Sequence, residues 1–117
     1  MNEQELDLTF DIGYHMDTAS LRLIGSLSLH TSTLFKSKVA RLIDAKIKAL
    51  ILDVSDITHM DTGGLIALMT VSKICSGKGM SFAVSGHNQI VEKILESSGL
   101  THLLSANRDA HAALQRN

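Results

Sequence analysis

The sequence contains no proline and no tryptophan, and aromatic residues make up only 3% of it. A core with so few rings must be built from aliphatic side chains, a composition that suits helices packed on a sheet. Cys75 is the single cysteine, so the chain has neither an internal disulfide nor a second thiol for a redox or metal motif. Without proline, linker or repeat there is no internal boundary, and we expect one domain, residues 1–117.

The sequence also lacks an excess of either positive or negative charge, and it lacks long apolar runs. The formal net charge is −1 at pH 7, which gives no field to hold the chain on nucleic acid or on an anionic membrane. The longest apolar runs, residues 49–52 and 65–69, are far below the roughly 20 residues that span a bilayer. The acidic first eight residues lack the features of a signal peptide. We therefore expect a cytoplasmic protein without nucleic-acid binding or membrane insertion.

Patterns along the first half of the chain predict strands that alternate with helices. Extended segments at residues 6–14 and 19–26, joined by a turn, predict an opening hairpin. The hydroxyl residues at 31–33 can cap the start of a first amphipathic helix. The helical spacing of the residues that follow predicts that this helix extends to Lys46. A short apolar run predicts a buried strand at residues 49–54, and residues 55–60 are predicted as a loop.

The second half continues the alternation. Helices are predicted at residues 62–76 and 88–97, with Gly99 as the capping glycine of the latter, and a strand at residues 81–85. A short strand at residues 102–104 and a terminal helix at 107–115 complete the pattern. The predicted fold class is α/β, a mixed and mostly parallel sheet with an opening hairpin and about four helices.

The most informative segment is Asp61-Thr62-Gly63-Gly64, at the start of the second helix. Asp61 can cap the helix by accepting hydrogen bonds from the amides of residues 63 and 64, and the glycines allow close approach to the backbone. The Thr62 hydroxyl then lies in the first turn, where a phosphate would meet the helix dipole. The segment is either a simple helix cap or a reversible phosphorylation switch.

The faces of the second helix bear on that choice. A core face is predicted from the spacing of Ala67, Leu68, Val71, Ile74 and Cys75. The opposite face carries Thr62 with three apolar side chains, and Lys73 follows one turn further along. These apolar residues are Leu65, Ile66 and Met69. They form either a partner-binding surface that a phosphate would disrupt or a patch covered by the first helix or a loop.

The sequence gives little support for a metal site or for enzyme activity. The six histidines lack the pairings of a metal site, so neither a metal nor a cofactor is expected. His59 is close enough to Thr62 in sequence to contact a phosphate or partner, or is simply a surface histidine. Gly63-Gly64 lacks the ending of a phosphate-binding loop, and the sequence provides no evident general base for Thr62. A non-enzymatic role is favoured.

Four segments together resemble the STAS domain, the module of bacterial anti-sigma factor antagonists and of sulfate transporter tails. They are residues 21–27 (LRLIGSL), 50–54 (LILDV), 59–65 (HMDTGGL) and 96–100 (ESSGL). The resemblance implies that Thr62 is phosphorylated by a serine/threonine kinase that is also the anti-sigma factor. It further implies that a PP2C-type phosphatase resets the switch, and that nucleotide and Mg²⁺ belong to the kinase.

The motif, the faces of the second helix and the resemblance together indicate which residues support the switch and which contact a partner. Supporting residues are Asp61, Gly63, Gly64, Asp53 and Ser28. Expected partner contacts are Leu65, Ile66, Met69, Lys73 and His59.

One departure from the family pattern concerns the end of the second strand. The family usually has Gly-Glu-Leu-Asp there, whereas residues 25–28 are Gly-Ser-Leu-Ser, so hydroxyls at Ser26 and Ser28 replace both carboxylates. The Asp-Thr-Gly-Gly-Leu form also looks like the STAS subunit of phospholipid-transport ABC complexes. That subunit docks on an ABC ATPase without a phosphate cycle, which gives the alternative function.

Overall fold

The chain opens with the predicted hairpin. The computed structural model describes residues 7–105, beginning with strands β1 (Leu8–His15) and β2 (Thr18–Leu27), which pair antiparallel. Met16 makes the turn between them in a left-handed conformation, with φ of 55°. The beginning of the predicted first strand, residue 6, lies outside the described residues.

The remaining helices and strands alternate as the sequence predicts up to residue 97. They are α1 (Ser32–Asp44), β3 (Ala49–Met60), α2 (Thr62–Gly77), β4 (Ser81–Ser85), α3 (Gln89–Ser97) and α4 (His102–Ser105). The sheet order is β1-β2-β3-β4, with β3 parallel to both of its neighbours. This arrangement confirms the α/β fold class with a mixed, mostly parallel sheet. Within residues 7–105, no helix is both long and apolar enough to cross a membrane.

Aliphatic side chains fill the core between the sheet and its helices, as the composition predicts. Leu21, Leu23, Leu50 and Leu52 on the two central strands are fully buried, as is Phe35 on α1. The helices α1 and α2 also contact each other. The parallel crossovers through these helices bring the carboxyl ends of β2 and β3 to one edge of the sheet.

The predicted loop at residues 55–60 is wrong, because β3 continues to Met60. β2 pairs with this extension through two shifts of register, each of which leaves one extra β3 residue opposite β2. β4 ends at Ser85, so the far side of the extension has no strand partner among residues 7–105. Asn88 takes over that role: its Nδ2 donates to the carbonyls of Val54 and Ile57 at 2.8 and 2.7 Å.

Two details of α1 also differ from prediction. Thr31 occupies the N-cap position, but its side chain makes no capping bond, because the hydroxyl donates to the Ser26 carbonyl and accepts from the Ser28 amide. The helix ends at Asp44 rather than Lys46. Lys46 has φ of 62°, a left-handed conformation that reverses the chain and cannot continue a helix.

The end of the described chain corrects another prediction. Residues 102–104 belong to the short helix α4, not to a strand. The amides of Leu103 and Leu104 bond to the carbonyls three residues earlier, so local bonds replace strand pairing. Gly99 has φ of 70° and follows α3 as predicted. The predicted terminal helix at 107–115 lies outside the described residues.

Candidate functional site

The junction between β3 and α2 is organised by the Asp61 carboxylate. Asp61 is extended, as an N-cap residue must be, and its Oδ1 accepts a hydrogen bond from the Gly64 amide at 2.9 Å. The same oxygen accepts from the Leu29 amide at 3.1 Å. The predicted cap is therefore confirmed for the Gly64 amide, and Asp61 also bonds to the loop between β2 and α1.

These bonds make Asp61 a stronger acid. The hydrogen bond from Gly64 is the main cause that lowers the pKa of Asp61, and the Leu29 amide and the nearby His59 also lower it. Partial burial acts in the opposite direction without cancelling them. A negative charge is thus fixed beside Thr62 at neutral pH.

Both glycines of the motif are needed for close packing, because the end of β2 and the loop after it approach them. A Cβ on Gly64 would overlap the carbonyl oxygen of Leu27. A Cβ on Gly63 would lie 2.6 Å from the Cα of Leu29. The start of α2 therefore lies directly against residues 27–29.

Thr62 is the first residue of α2, and its side chain is exposed. Its hydroxyl takes part in none of the side-chain hydrogen bonds between described residues. The residue lies at the edge of a groove of about 480 Å³ between the start of α2 and α3. The groove is lined by Met60, Asp61, Thr62, Leu65, Lys93, Ile94, Ser97 and Ser98.

On the other side of Thr62 lies an apolar patch, formed by Leu29, Ile66 and Met69. Ile66 is 57% exposed and Leu29 68% exposed, while Met69 is half-buried. Ile66 lies one turn after Gly63 on the same face of the helix, and Gly63 contacts the backbone of Leu29. Within residues 7–105 neither α1 nor a loop covers Ile66, so the alternative of a covered patch does not hold at that residue, and partner binding stays a prediction.

The predicted faces of α2 need two corrections. Ile74 was expected in the core, but it is 41% exposed, because the buried face centres on Gly64, Leu68 and Val71 and leaves Ile74 at its margin. Leu65 points away from the apolar patch: it is half-buried and lines the groove toward α3.

Other predicted site residues lie at differing distances from Thr62. Asp53 bonds to the amide and hydroxyl of Ser55 and lies beside Gly86, on the order of 20 Å back along β3. Lys73 is exposed on the outer face of α2, but about 16 Å along the helix axis from Thr62. The structure does not bring these two residues to the hydroxyl.

Ser28 and His59 lie close to the junction. Ser28 is buried within the turn that Thr31 closes, two residues after the half-buried Ser26. His59 is exposed near the end of β3, where its charge acts on Asp61. Ser28 therefore supports the packing of the loop, and His59 is available at the surface.

Sequence reasoning missed four residues of this region: Leu29, Lys93, Ser97 and Ser98. The last two belong to the segment at 96–100 that carried part of the family resemblance, so a signal for them was present. Leu29 and Lys93 had no such signal, since their positions depend on packing between elements distant in sequence.

Comparison with known proteins gives consistent results. The STAS domain family profile matches residues 12–113. An anti-sigma F factor antagonist of Paenibacillus polymyxa is 26% identical over 100 residues, which cover 85% of this chain and 86% of the relative.

Solved structures give the same picture of the fold. An anti-sigma factor antagonist from Mycobacterium paratuberculosis superposes with a TM-score of 0.78 at 17% identity, over 94% of this chain and 95% of that one. The antagonist SpoIIAA in its unphosphorylated form gives 0.75 at 18% identity, over 92% and 96% of the two chains. The Bacillus SpoIIAA in its phosphorylated form gives 0.71 at 17% identity, over 92% and 98%.

Proposed function

This chain belongs to the STAS domain family, and on that premise we propose that it is an anti-sigma factor antagonist-type phospho-switch. In the unphosphorylated form it binds an anti-sigma factor that is a serine/threonine kinase. Phosphorylation of Thr62 releases that partner, and a PP2C-type phosphatase restores the binding form. The nucleotide and Mg²⁺ belong to the kinase, and this chain needs no cofactor.

The observation that carries the proposal is the exposed Thr62 hydroxyl between an apolar patch and a groove. Leu29 and Ile66 offer apolar area that a partner can bury, and such central apolar contacts usually dominate the affinity of an interface. Thr62 lies beside them, on a rigid helix start fixed by Asp61. A modification at this position changes the surface that the partner contacts.

The chemistry of release follows from charge and solvation. The Thr62 Oγ1 attacks the γ-phosphorus of ATP bound to the kinase, the bond to ADP breaks, and the hydroxyl proton passes to a base of the kinase. The phosphate adds a charge of about −1.5 to −2 at pH 7 beside the Asp61 carboxylate. Because that charge would have to be desolvated in a partner interface, binding becomes unfavourable.

Relatives support this assignment. The curated relative is named an anti-sigma F factor antagonist, and SpoIIAA, a structural neighbour, has been solved both without and with phosphate. A protein of this fold therefore exists in both states of such a cycle. Transfer of that cycle to Thr62 rests on the Asp61-Thr62-Gly63-Gly64 motif and its exposed hydroxyl.

A docking role without a phosphate cycle is the second candidate, as in the STAS subunits of ABC complexes that the Asp-Thr-Gly-Gly-Leu form resembles. The observation that favours it is the end of β2 and the residue after it, where the hydroxyls of Ser26 and Ser28 replace the family's carboxylates. The same patch of Leu29 and Ile66 would then contact an ABC ATPase permanently.

Phosphate mapping distinguishes the two. The purified chain is incubated with ATP and the kinase that it binds, and the modified residue is located by mass spectrometry. Phosphate on Thr62 that disappears in Thr62→Ala, and persists in the exposed neighbour control Thr58→Ala, supports the switch. Equal modification of Thr62→Ala would overturn it, and a stable complex indifferent to Thr62→Glu would favour docking.

A further inference from the structure

We propose that Lys93 is the charge partner of a phosphate on Thr62, and that it holds this phosphate in the groove between α2 and α3. The inference rests on the proposed function, since it assigns a receiving site within the chain itself to the modified side chain. Lys93 and Thr62 line opposite sides of the same groove. Of the described residues that line it, Lys93 alone carries a positive charge.

Lys93 is held in place by the way α3 is fixed to the sheet. Asn88 caps α3, accepting from the amides of Ile90 and Val91, while its Nδ2 bonds to two carbonyls of β3. Val91 and Leu95 anchor the helix in the core. α3 is therefore fixed on the sheet, and Lys93 on this helix lines the groove that Thr62 also lines.

The charges around the groove favour Lys93 as the partner. Asp61 lies next to Thr62 and repels a phosphate, and Glu92 and Glu96 flank Lys93 on α3. His59 is near enough to act on Asp61 but does not line the groove, and Lys73 is about 16 Å away along α2. Within residues 7–105 Lys93 forms no ion pair, so its ammonium can turn toward the groove.

Other donors in the groove are less suited. The Ser97 hydroxyl already donates to the Lys93 carbonyl at 2.9 Å, within α3. An ammonium carries three donors on a flexible stem and forms charge-assisted bonds with phosphate oxygens, which are stronger than neutral ones. The phosphate would then lie over Leu65 and Ile94 and close the groove to a partner.

Phosphorus NMR of a chain with phosphothreonine incorporated at position 62 during synthesis tests this pairing without any kinase. The measured quantity is the pKa of the second phosphate ionisation, ordinarily about 6. Lys93→Gln is expected to raise it by about 0.5 pH unit, as one exposed ion pair in water allows, and Lys93→Arg is expected to leave it nearly unchanged.

Lys78→Gln is the matched control. Lys78 follows the last residue of α2, about 24 Å from Thr62 along the axis, well beyond the screening length of about 10 Å at 0.1 M salt. A Lys93→Gln shift no larger than that of Lys78→Gln would overturn the pairing.

A second readout locates the phosphate. The backbone amide signals of Ser97 and Ser98 are expected to move on phosphorylation in the wild type and to move much less in Lys93→Gln. Equal movement in both contradicts the proposal. The titrations use a chain that already carries the phosphate, so their result does not depend on a kinase. If no kinase modified Thr62, the proposed function would fail although the pairing with Lys93 could still be observed. The failure of one proposal can therefore be distinguished from the failure of the other.

Discussion

The Asp61 carboxylate accepts a hydrogen bond from the Leu29 amide at 3.1 Å and so ties the loop after β2 to the start of α2. The same oxygen caps α2 through the Gly64 amide. One side chain thereby fixes both the Thr62 hydroxyl and the most exposed apolar residue beside it. One carboxylate therefore both caps α2 and positions the loop that carries Leu29.

Removal of the Asp61 side chain is expected to destabilise the domain. Asp61→Ala loses the cap and the bond to Leu29, which together correspond to about 1–2 kcal/mol of unfolding free energy. Asp61→Asn retains an acceptor oxygen and should lose less. Urea denaturation at pH 7 measures both, with the exposed Asp44→Asn as control. Equal stability of Asp61→Ala and wild type would contradict the assigned role.

The stabilisation by Asp61 should also depend on pH in a defined direction. Hydrogen bonds from Gly64 and Leu29 hold the pKa of Asp61 below its unfolded value, which is about 4. The contribution is therefore complete above about pH 4 and is lost as pH falls through the folded-state pKa. The stability difference between wild type and Asp61→Asn should narrow below pH 4. A difference that widens there would contradict this account.

Gly64→Ala is expected to be one of the most damaging small changes in the domain. Its Cβ would overlap the Leu27 carbonyl oxygen, a backbone atom that cannot move without shifting β2 or α2. We expect a loss of about 1–3 kcal/mol, measured by thermal or urea unfolding.

Gly77→Ala is the matched control on the same helix. No atom lies within 4 Å of a Cβ at that position, so alanine should stabilise the domain slightly, by up to about 1 kcal/mol. Similar effects of the two substitutions would show that packing at Gly64 is not the cause.

Asn88 should matter more than an ordinary helix cap. Asn88→Ala removes the cap of α3 and leaves the carbonyls of Val54 and Ile57 without their donor, for a loss of about 2–4 kcal/mol. Asn88→Asp keeps the cap but places a carboxylate against two carbonyls, so it should not rescue stability. Gln89→Ala, at the exposed first position of α3, is the control. A full rescue by aspartate would contradict the donor role.

The apolar patch should affect binding without affecting folding. Leu29→Ala and Ile66→Ala remove exposed side chains, so the unfolding free energy should change by less than about 0.5 kcal/mol. Each should weaken binding to the partner kinase about tenfold, as measured by calorimetry. Ile12→Ala, 39% exposed on the edge strand β1, is the control for loss of surface apolar area. Unchanged affinity in both variants would exclude this patch.

Local patterns predicted the parts of the site that local chemistry determines. The cap at Asp61, the start of α2 at Thr62 and the need for Gly63 and Gly64 all follow from four adjacent residues. The extension of β3 could not be predicted, because it depends on register shifts with β2 and on Asn88, more than 30 residues away along the chain. Leu29 and Lys93 reach the site only through the packing of distant elements.

The most direct test of the switch is the affinity of the partner kinase for two forms of this chain, unmodified and carrying phosphothreonine at position 62. The account predicts that the unmodified chain binds and that phosphate weakens binding by at least about 30-fold, or about 2 kcal/mol. Equal affinity of the two forms would contradict the central claim, because Thr62 would then have no control over the surface beside it.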